Sequence, residues 1–256
     1  MQSIVQPPYP EHFAETTVTT WMRDAIEFAK ATSLAVVVRG PAGMGKSSSI
    51  AHLTEELGGI HYFEVIQGVR SNQVLLDCVC AAFGRSPTPL RHLPDLYARL
   101  RGDFGHRGGC LVVDEVQRAG ADGIRMLLSF NDHCDMPIVL VGNNAALKRS
   151  RANEAAYDQI EDRVAKWYDL QKPIAADIVA ISRRWGVDGQ AALDALVAYG
   201  LPRTIRQVAL VLRTARAGVE PGAPIDSITV TRAIKILGHA MPTANGTLSF
   251  QQGEAA

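Results

Sequence analysis

The sequence predicts an α/β fold in which helices cover both faces of a parallel β-sheet and a small helical domain follows. Short runs of apolar, β-branched residues alternate with segments of helical periodicity as far as Tyr168, which is the pattern of a parallel sheet. One of these runs leads directly into a glycine-rich loop and then a helix, which is the order of elements in a βα unit of such a sheet. Beyond Tyr168 the periodicity is helical, which indicates a C-terminal helical lid.

The composition is that of a soluble globular protein. Hydrophobic residues make up 47% and charged residues 20% of the 256 residues. No run reaches the length of about 18 apolar residues that spans a bilayer, and residues 1–12 lack the order of a secretory signal. The cysteines lack metal-ligand spacing, which favours buried free thiols over a redox or metal site. We therefore expect a cytoplasmic protein without a membrane partner.

The first elements follow from the spacing of apolar residues. Residues 1–12 are proline-rich and predict an extended arm. Apolar residues at helical spacing predict a helix over Thr19–Ala31. Leu34–Val38 is a β-branched run typical of a buried parallel strand. Ile50–Leu57 continues the helix that follows the glycine-rich loop.

The remaining elements complete the core and the helical domain. Further strands are predicted at His61–Ile66, Cys110–Val113 and Pro137–Val141, and further helices at Asn72–Phe83, Leu93–Phe104 and Gly123–Asn131. Residues 173–238 have helical periodicity, with Ile228–Val230 as the one possible strand. We therefore divide the chain into an arm (1–12), an α/β core (13–170), a helical lid (171–240) and a tail (241–256) whose small, polar residues predict disorder.

Residues 40–47 match the phosphate-loop pattern G-x(4)-G-K-[ST] at every fixed position. Glycines allow successive backbone N–H groups to curl around phosphates, and the following helix presents its positive N-terminus. Lys46 is expected to reach the β- and γ-phosphates of ATP, and the Ser47 hydroxyl to ligate Mg²⁺. A chance glycine turn is the alternative, but the flanking strand and helix favour the motif. The predicted nucleotide contacts are Gly40, Pro41, Ala42, Gly43, Met44, Gly45, Lys46, Ser47 and Ser48.

A second motif stands at the end of the apolar run Cys110–Val113, where Asp114 and Glu115 follow each other and resemble a Walker B strand. Asp114 is predicted to join the nucleotide site and to hold Mg²⁺ through water. Glu115 is predicted to polarise the attacking water, because hydrolysis needs a base in line with the γ-phosphate. Surface acids often follow strands, so this motif is informative through its combination with the phosphate loop.

Two polar residues in later segments are further candidates for the catalytic site. Asn143 follows a strand that should lie between the two motif strands, where it can contact the γ-phosphate and the lytic water. An ordinary turn asparagine is the alternative, and Asn143 is preferred to Asn144. Arg203, in Gly-Leu-Pro-Arg, sits where a lid helix begins and can reach back to the phosphates. A plain surface arginine remains the other interpretation.

Taken in order, these motifs resemble the AAA+ ATPases over residues 13–238. Residues 111–143 resemble in particular the branch that contains MuB, TniB and TnsC, which are ATP-dependent regulators of DNA transposition, although Val116 stands where that branch has alanine. The resemblance implies a protein that oligomerises on duplex DNA with ATP, as a ring or a helical filament. It also implies that the protein recruits or activates a transposase and disassembles on ATP hydrolysis.

The resemblance further implies that an arginine from a neighbouring subunit completes the site and stabilises charge on the transferring phosphoryl group. Arg163 is the first candidate, because we place it on a helix just before the last strand of the core. Arg149 and Arg151 are the alternatives, and a solvated helix face is the interpretation without function.

Contacts to DNA are expected from loops that line the assembled oligomer. The formal net charge is 0, which argues against binding through bulk charge but leaves local basic stripes open. Repeated weak phosphate contacts along a filament can still bind duplex DNA, with little sequence preference. Arg70, Arg99 and Arg118 are the predicted DNA contacts.

Two other functions remain open at this point. One is an ATPase of the same branch that acts on a protein client, of the secretion or loader type. The other is an oligomeric signalling ATPase of the STAND type. Binding to DNA that depends on ATP would distinguish the transposition regulator from both.

Overall fold

The computed structural model describes residues 10–68, 71–107, 109–143 and 154–239. Its helices are α1 (Thr17–Thr32), α2 (Lys46–Leu57), α3 (Asn72–Ala82), α4 (Leu93–Arg107), α5 (Gly120–Cys134), α6 (Glu154–Glu161), α7 (Ala175–Arg184), α8 (Gln190–Gly200), α9 (Ile205–Ala217) and α10 (Ser227–Ile236). Its strands are β1 (Ala35–Arg39), β2 (Ile60–Glu64), β3 (Cys110–Asp114), β4 (Ile138–Gly142) and β5 (Val164–Asp169). Every strand and helix predicted for the core is found. The predicted tail and most of the predicted arm lie outside the described residues.

The five strands form one parallel sheet in the order β2-β3-β4-β1-β5. The prediction that β4 lies between the two motif strands is therefore confirmed. Because the strands are parallel, the segments that follow β1, β3 and β4 all start from the same edge of the sheet. A backbone hydrogen bond from Gly40 N to Gly142 O, 3.2 Å long, joins the ends of β1 and β4.

Both faces of the sheet are covered, as the near-continuous apolar runs of its central strands predict. One face packs against α3, α4 and α5, with Val37, Val113 and Leu140 in that cluster. The alternate residues Val36 and Val112 are also buried. The strand-like runs of the sequence therefore correspond to strands buried on both faces.

The described residues divide into two compact units. The first contains residues 19–41 and 46–170, and the second contains residues 10–18, 42–45 and 171 onward. The second unit has its own apolar core among α7 to α10, in which Leu196, Tyr199, Val208 and Ile234 are fully buried. The tip of the phosphate loop, residues 42–45, belongs to this second unit.

The predicted strand at Ile228–Val230 is wrong, because these residues lie in α10. The Asp226 carboxylate accepts a hydrogen bond of 2.8 Å from Thr229 N and caps the helix. Val230, Ala233 and Ile234 are buried, and their spacing places them on one face of a helix. The β-branched residues mislead here, because packing outweighs their local preference for a strand.

Two features of the structure bear on expectations from the composition: the state of the cysteines and the length of the apolar helices. Cys78, Cys80, Cys110 and Cys134 are all free and buried, as predicted. Burial raises the pKa of the Cys110 and Cys134 thiols to about 12 in each case. In the part of the chain that the structure describes, no helix is long and apolar enough to cross a membrane.

Candidate nucleotide and magnesium site

The phosphate loop has the backbone that its glycines allow. Gly43 and Gly45 have φ values of 79° and 90°, in the left-handed region that side chains rarely adopt. Gly40 has no room for a side chain, since a Cβ there would lie 2.6 Å from Leu170 Cβ. The Lys46 ammonium donates hydrogen bonds of 2.9 Å to the carbonyls of both Gly40 and Pro41. Lys46 is thus folded over the loop, at the position from which it can reach phosphates.

The side chains of Ser47 and Asp114 contact each other at the carboxyl ends of the parallel strands. Ser47 lies in the first turn of α2, Asp114 ends β3, and Ser47 Oγ donates to Asp114 Oδ2 at 2.6 Å. Asp114 is fully buried, and its Oδ1 accepts from Glu115 N at 2.8 Å. Burial raises the pKa of Asp114, while the bonds from Ser47 and Glu115 oppose that rise. This set of hydroxyl and carboxylate oxygens is the kind that Mg²⁺ prefers.

Tyr62, on β2, lies beside Asp114 and has no counterpart in the sequence-based predictions. Burial first, and then the negative charge of Asp114, raises the pKa of the Tyr62 hydroxyl above its ordinary value. The hydroxyl therefore keeps its proton at neutral pH. No pattern in the sequence identifies this residue, because its position depends on how β2 pairs with β3.

Glu115 is held by two neighbours in the turn that follows it. Its backbone is left-handed, with φ 53° and ψ 34°, an uncommon conformation for a residue with a side chain. Glu115 Oε2 accepts from Gln117 Nε2 at 2.6 Å and lies 3.1 Å from Arg118 Nη2. Left-handed backbone in a bulky residue is frequent at functional sites. The strained residue here is the predicted catalytic base.

Gln117 connects the predicted base to the predicted sensor, and sequence reasoning missed it. Its amide nitrogen donates to Glu115, and its Oε1 accepts from Asn143 N at 3.2 Å. A side chain at Gly142 would collide with it, since a Cβ there would lie 2.7 Å from Gln117 Oε1. The structure therefore brings Glu115 and Asn143 to one place through a shared glutamine.

Arg118 belongs to the same network. Its Nη1 donates to Glu64 Oε1 at 2.7 Å and to Val65 O at 2.9 Å, in addition to its ion pair with Glu115. Arg118 thus links the end of β2 to the predicted base. A DNA contact by Arg118 remains a prediction, and it requires the guanidinium to exchange at least one of these partners.

Arg163 lies in the turn between α6 and β5, so its predicted position on a helix is wrong. Helix α6 ends at Glu161, and Arg163 directly precedes Val164. The start of a parallel strand is at the opposite edge of the sheet from the phosphate loop. A strand of this length separates the two edges by roughly 20 Å. Arg163 therefore does not reach its own nucleotide site in this structure, and its role in a neighbouring site remains a prediction.

Arg203 and the tip of the phosphate loop lie in the second unit. Arg203 Nη1 donates to Tyr199 O at 2.7 Å, and the guanidinium lies 4.2 Å from the centre of the Tyr199 ring. Arg206 N donates to Gly43 O at 2.8 Å, a contact that sequence reasoning missed. The structure therefore ties the start of α9 to the loop tip through Arg206, and a phosphate contact by Arg203 remains a prediction.

Of the other two predicted DNA contacts, the structure describes Arg99 but not Arg70. Arg99 is exposed on α4. Arg70 lies outside the described residues, as do Arg149 and Arg151, the alternatives to Arg163 for the arginine supplied by a neighbouring subunit. The structure therefore leaves these contacts as predictions.

Sequence comparisons identify related proteins. A family model described as an AAA domain matches residues 30–149. The ATP-dependent target DNA activator B of Escherichia phage Mu is 23% identical over 196 residues, which are 76% of this chain and 62% of that protein. The Mu-like prophage FluMu DNA transposition protein B of Haemophilus influenzae is 26% identical over 182 residues, 69% of this chain and 62% of that protein. The chain thus spans less than two thirds of the length of these relatives.

Solved structures share the fold. The ORC2 protein of Aeropyrum pernix, as ADPNP–ADP complexes, aligns over 90% of this chain and 69% of its own, with a TM-score of 0.63 and 16% identity. The RuvB Holliday junction branch migration motor of Thermotoga maritima aligns over 96% of this chain and 76% of its own, with a TM-score of 0.54 and 18% identity. The phosphate loop, the Asp114–Glu115 strand end and this shared fold agree with the match to an AAA domain over residues 30–149. Beyond that match, the chain is similar to the target DNA activator B and the Mu-like transposition protein B named above.

Proposed function

We propose that this protein is an ATP-dependent DNA-binding regulator of DNA transposition. With ATP it oligomerises on duplex DNA, recruits or activates a transposase for target-site selection, and disassembles on hydrolysis. The observation that carries the proposal is the site at the carboxyl edge of the sheet, where Lys46, the Ser47–Asp114 pair and Glu115 converge. The names of the relatives, which are a target DNA activator and a DNA transposition protein, support the assignment of this ATPase to transposition.

Binding of ATP begins at the phosphate loop. Backbone N–H groups of residues 40–48 and the N-terminus of α2 surround the phosphates. Lys46 exchanges the carbonyls of Gly40 and Pro41 for the β- and γ-phosphate oxygens. Because these two bonds already hold the ammonium over the loop, little side-chain freedom is lost on binding.

Ser47 and Asp114 are the residues that would hold Mg²⁺, Asp114 through water. Their oxygen atoms are already 2.6 Å apart, and Asp114 is fixed by the backbone N–H of Glu115. A cation held there would neutralise charge on the phosphates. The protein's part is to present these two oxygens in a buried position.

Glu115 acts as the general base for hydrolysis. Its carboxylate takes a proton from the water that attacks the γ-phosphate. Gln117 donates to the Glu115 carboxylate on one side and accepts from the Asn143 backbone N–H on the other, which holds the chain at the predicted sensor close to the base. The resulting charge on the γ-phosphate is stabilised by Arg163 of the next subunit in the oligomer, and Arg203 reports the nucleotide state to the lid.

The oligomer contacts DNA through phosphates, with Arg70, Arg99 and Arg118 as the contributing residues. Each subunit supplies few contacts, so affinity depends on assembly and hence on ATP. The protein works in the cytoplasm, where its four free, buried thiols stay reduced.

The proposal is tested by gel-shift titration of a mixed-sequence duplex with ATP, with ADP and without nucleotide. We expect strong, cooperative shifts with ATP alone, and a loss of binding that is steep in salt concentration. Lys46→Ala is the matched control and should give no shift with any nucleotide. Equal DNA binding in all three conditions, or none with ATP, would contradict the proposal.

A further inference from the structure

The Tyr62 hydroxyl is a polar group that the steps above do not use. Tyr62 lies in the middle of β2 and is 2% exposed. Within the described part of the chain it is the one buried side-chain oxygen or nitrogen without a hydrogen bond of good geometry, although the Asp114 carboxylate is near enough to raise the pKa of the hydroxyl. Buried polar groups in folded proteins are nearly always hydrogen-bonded, so an exception calls for a functional explanation.

The pairing of β2 with β3 shows what Tyr62 faces. The two strands are parallel, with Tyr62 opposite Val112 and Glu64 opposite Asp114. Alternate residues of a strand share a face, so Tyr62 and Asp114 project from the same face of the sheet. On that face the Tyr62–Val112 pair is next to the Glu64–Asp114 pair. The intervening Phe63 lies in the cluster on the opposite face, together with Val113. A tyrosine can reach across this diagonal to the neighbouring carboxylate.

Asp114 has capacity for one more hydrogen bond. Its Oδ2 accepts from Ser47 and its Oδ1 from Glu115 N, and a carboxylate has about four acceptor sites. With Mg²⁺ bound, Ser47 Oγ would ligate the cation through a lone pair and could keep its proton on Asp114 Oδ2. A further donor on a remaining acceptor site would help to fix the carboxylate in the orientation that serves the cation.

We propose that Tyr62 is a positioning residue of the magnesium site, whose hydroxyl donates a hydrogen bond to the Asp114 carboxylate when the nucleotide and cation are bound. The inference rests on the proposed function, because it needs Asp114 to serve a bound cation. It assigns a role to β2, a strand that supplies no residue to the phosphate loop or to the Asp114–Glu115 motif. Groups that orient metal-binding side chains typically contribute about 10- to 100-fold to metal affinity.

The test compares Tyr62→Phe with the wild-type chain. Binding of a fluorescent ATP analogue is measured over a series of Mg²⁺ concentrations and in EDTA. We expect affinity in EDTA to change by less than about 2-fold, and the Mg²⁺ concentration for half-maximal binding to rise about 10-fold. Mn²⁺ titration by electron paramagnetic resonance, with the analogue present, should show the same weakening without any turnover.

Tyr97→Phe is the matched control. It removes a tyrosine hydroxyl from the same unit, but one that already bonds Ser129 Oγ at 2.6 Å. It should leave the Mg²⁺ dependence unchanged and lower the melting temperature. Tyr62→Phe should not lower the melting temperature of the nucleotide-free protein, because it removes a hydroxyl without a hydrogen bond of good geometry.

The coupling to Asp114 is tested by adding Tyr62→Phe to Asp114→Asn. If Tyr62 acts through Asp114, the second substitution should produce little further change in Mg²⁺ dependence. The inference would be overturned if Tyr62→Phe needed the same Mg²⁺ concentration for half-maximal binding as the wild type. It would also be overturned if the effects of the two substitutions on that concentration were fully additive in the double variant. Wild-type protein that binds the analogue with Mg²⁺ but fails the DNA gel shift would instead refute the transposition proposal and leave the inference standing.

Discussion

Replacement of Glu115 by glutamine should remove the proton acceptor of the site and leave the residues that bind ATP unchanged. Glutamine is nearly the same size, keeps an oxygen to accept from Gln117, and cannot take a proton from water. We expect hydrolysis to fall by about 10²- to 10⁴-fold, the usual contribution of a general base. ATP binding should persist, because Lys46, Ser47 and Asp114 are untouched. DNA-bound oligomers formed with ATP should then outlast those of the wild type.

The structure also bounds the stability cost of Glu115→Gln. The substitution removes the ion pair with Arg118, whose side chain is 33% exposed while that of Glu115 is 29% exposed. Arg118 keeps its bonds to Glu64 and Val65. A partly exposed pair of this kind contributes less than about 1 kcal/mol. The melting temperature should therefore fall by no more than about 4 °C.

Glu64→Gln is the matched control, because it removes the other Arg118 ion pair and leaves the base in place. It should lower the melting temperature by a similar amount and retain most of the hydrolysis. The assays are phosphate release, binding of a fluorescent ATP analogue, and thermal unfolding. If Glu115→Gln retains more than about a tenth of the wild-type rate, or if Glu64→Gln is equally inactive, the assignment of Glu115 as base is refuted.

Three further substitutions test other parts of the site and the fold. Lys46→Ala should abolish ATP binding and ATP-dependent assembly, and persistent oligomers with ATP would contradict the phosphate-loop model. Arg163→Ala should lower hydrolysis by the assembled oligomer, while the ATP affinity of the single subunit stays unchanged. The substitution also removes an ion pair with Asp132, but that pair is partly exposed and contributes little to stability. Asp226→Ala should lower the denaturant midpoint of the helical unit through loss of the cap on Thr229 N; an unchanged midpoint would show that the cap is not formed in solution.

Local sequence was sufficient for the phosphate loop and most of the core. The loop's chemistry is encoded in consecutive residues, and Gly43 and Gly45 have the left-handed backbone that only glycine adopts readily. The central strands could be predicted because strands buried on both faces are continuous apolar runs. Asp114 and Glu115 could be predicted because they directly follow such a run.

Tertiary structure decided the arrangement around those motifs. Gln117 joins Glu115 to Asn143 because β3 and β4 end side by side. Arg118 reaches Glu64 because β2 pairs with β3 in that register. These contacts join segments far apart in the chain, and their geometry depends on sheet order, which no local pattern encodes.

The same reason explains the errors and omissions at single residues. Ile228–Val230 has the composition of a strand but becomes helical, because packing in the second unit buries Val230, Ala233 and Ile234 on one face. Tyr62 has nothing in its neighbouring sequence that marks it, yet strand pairing places it beside Asp114. The sequence by itself determined that the protein has a nucleotide-binding loop and a strand-end acid pair. Pairing between distant strands decided which side chains support that pair, because a hydrogen bond depends on positions in space and not along the chain.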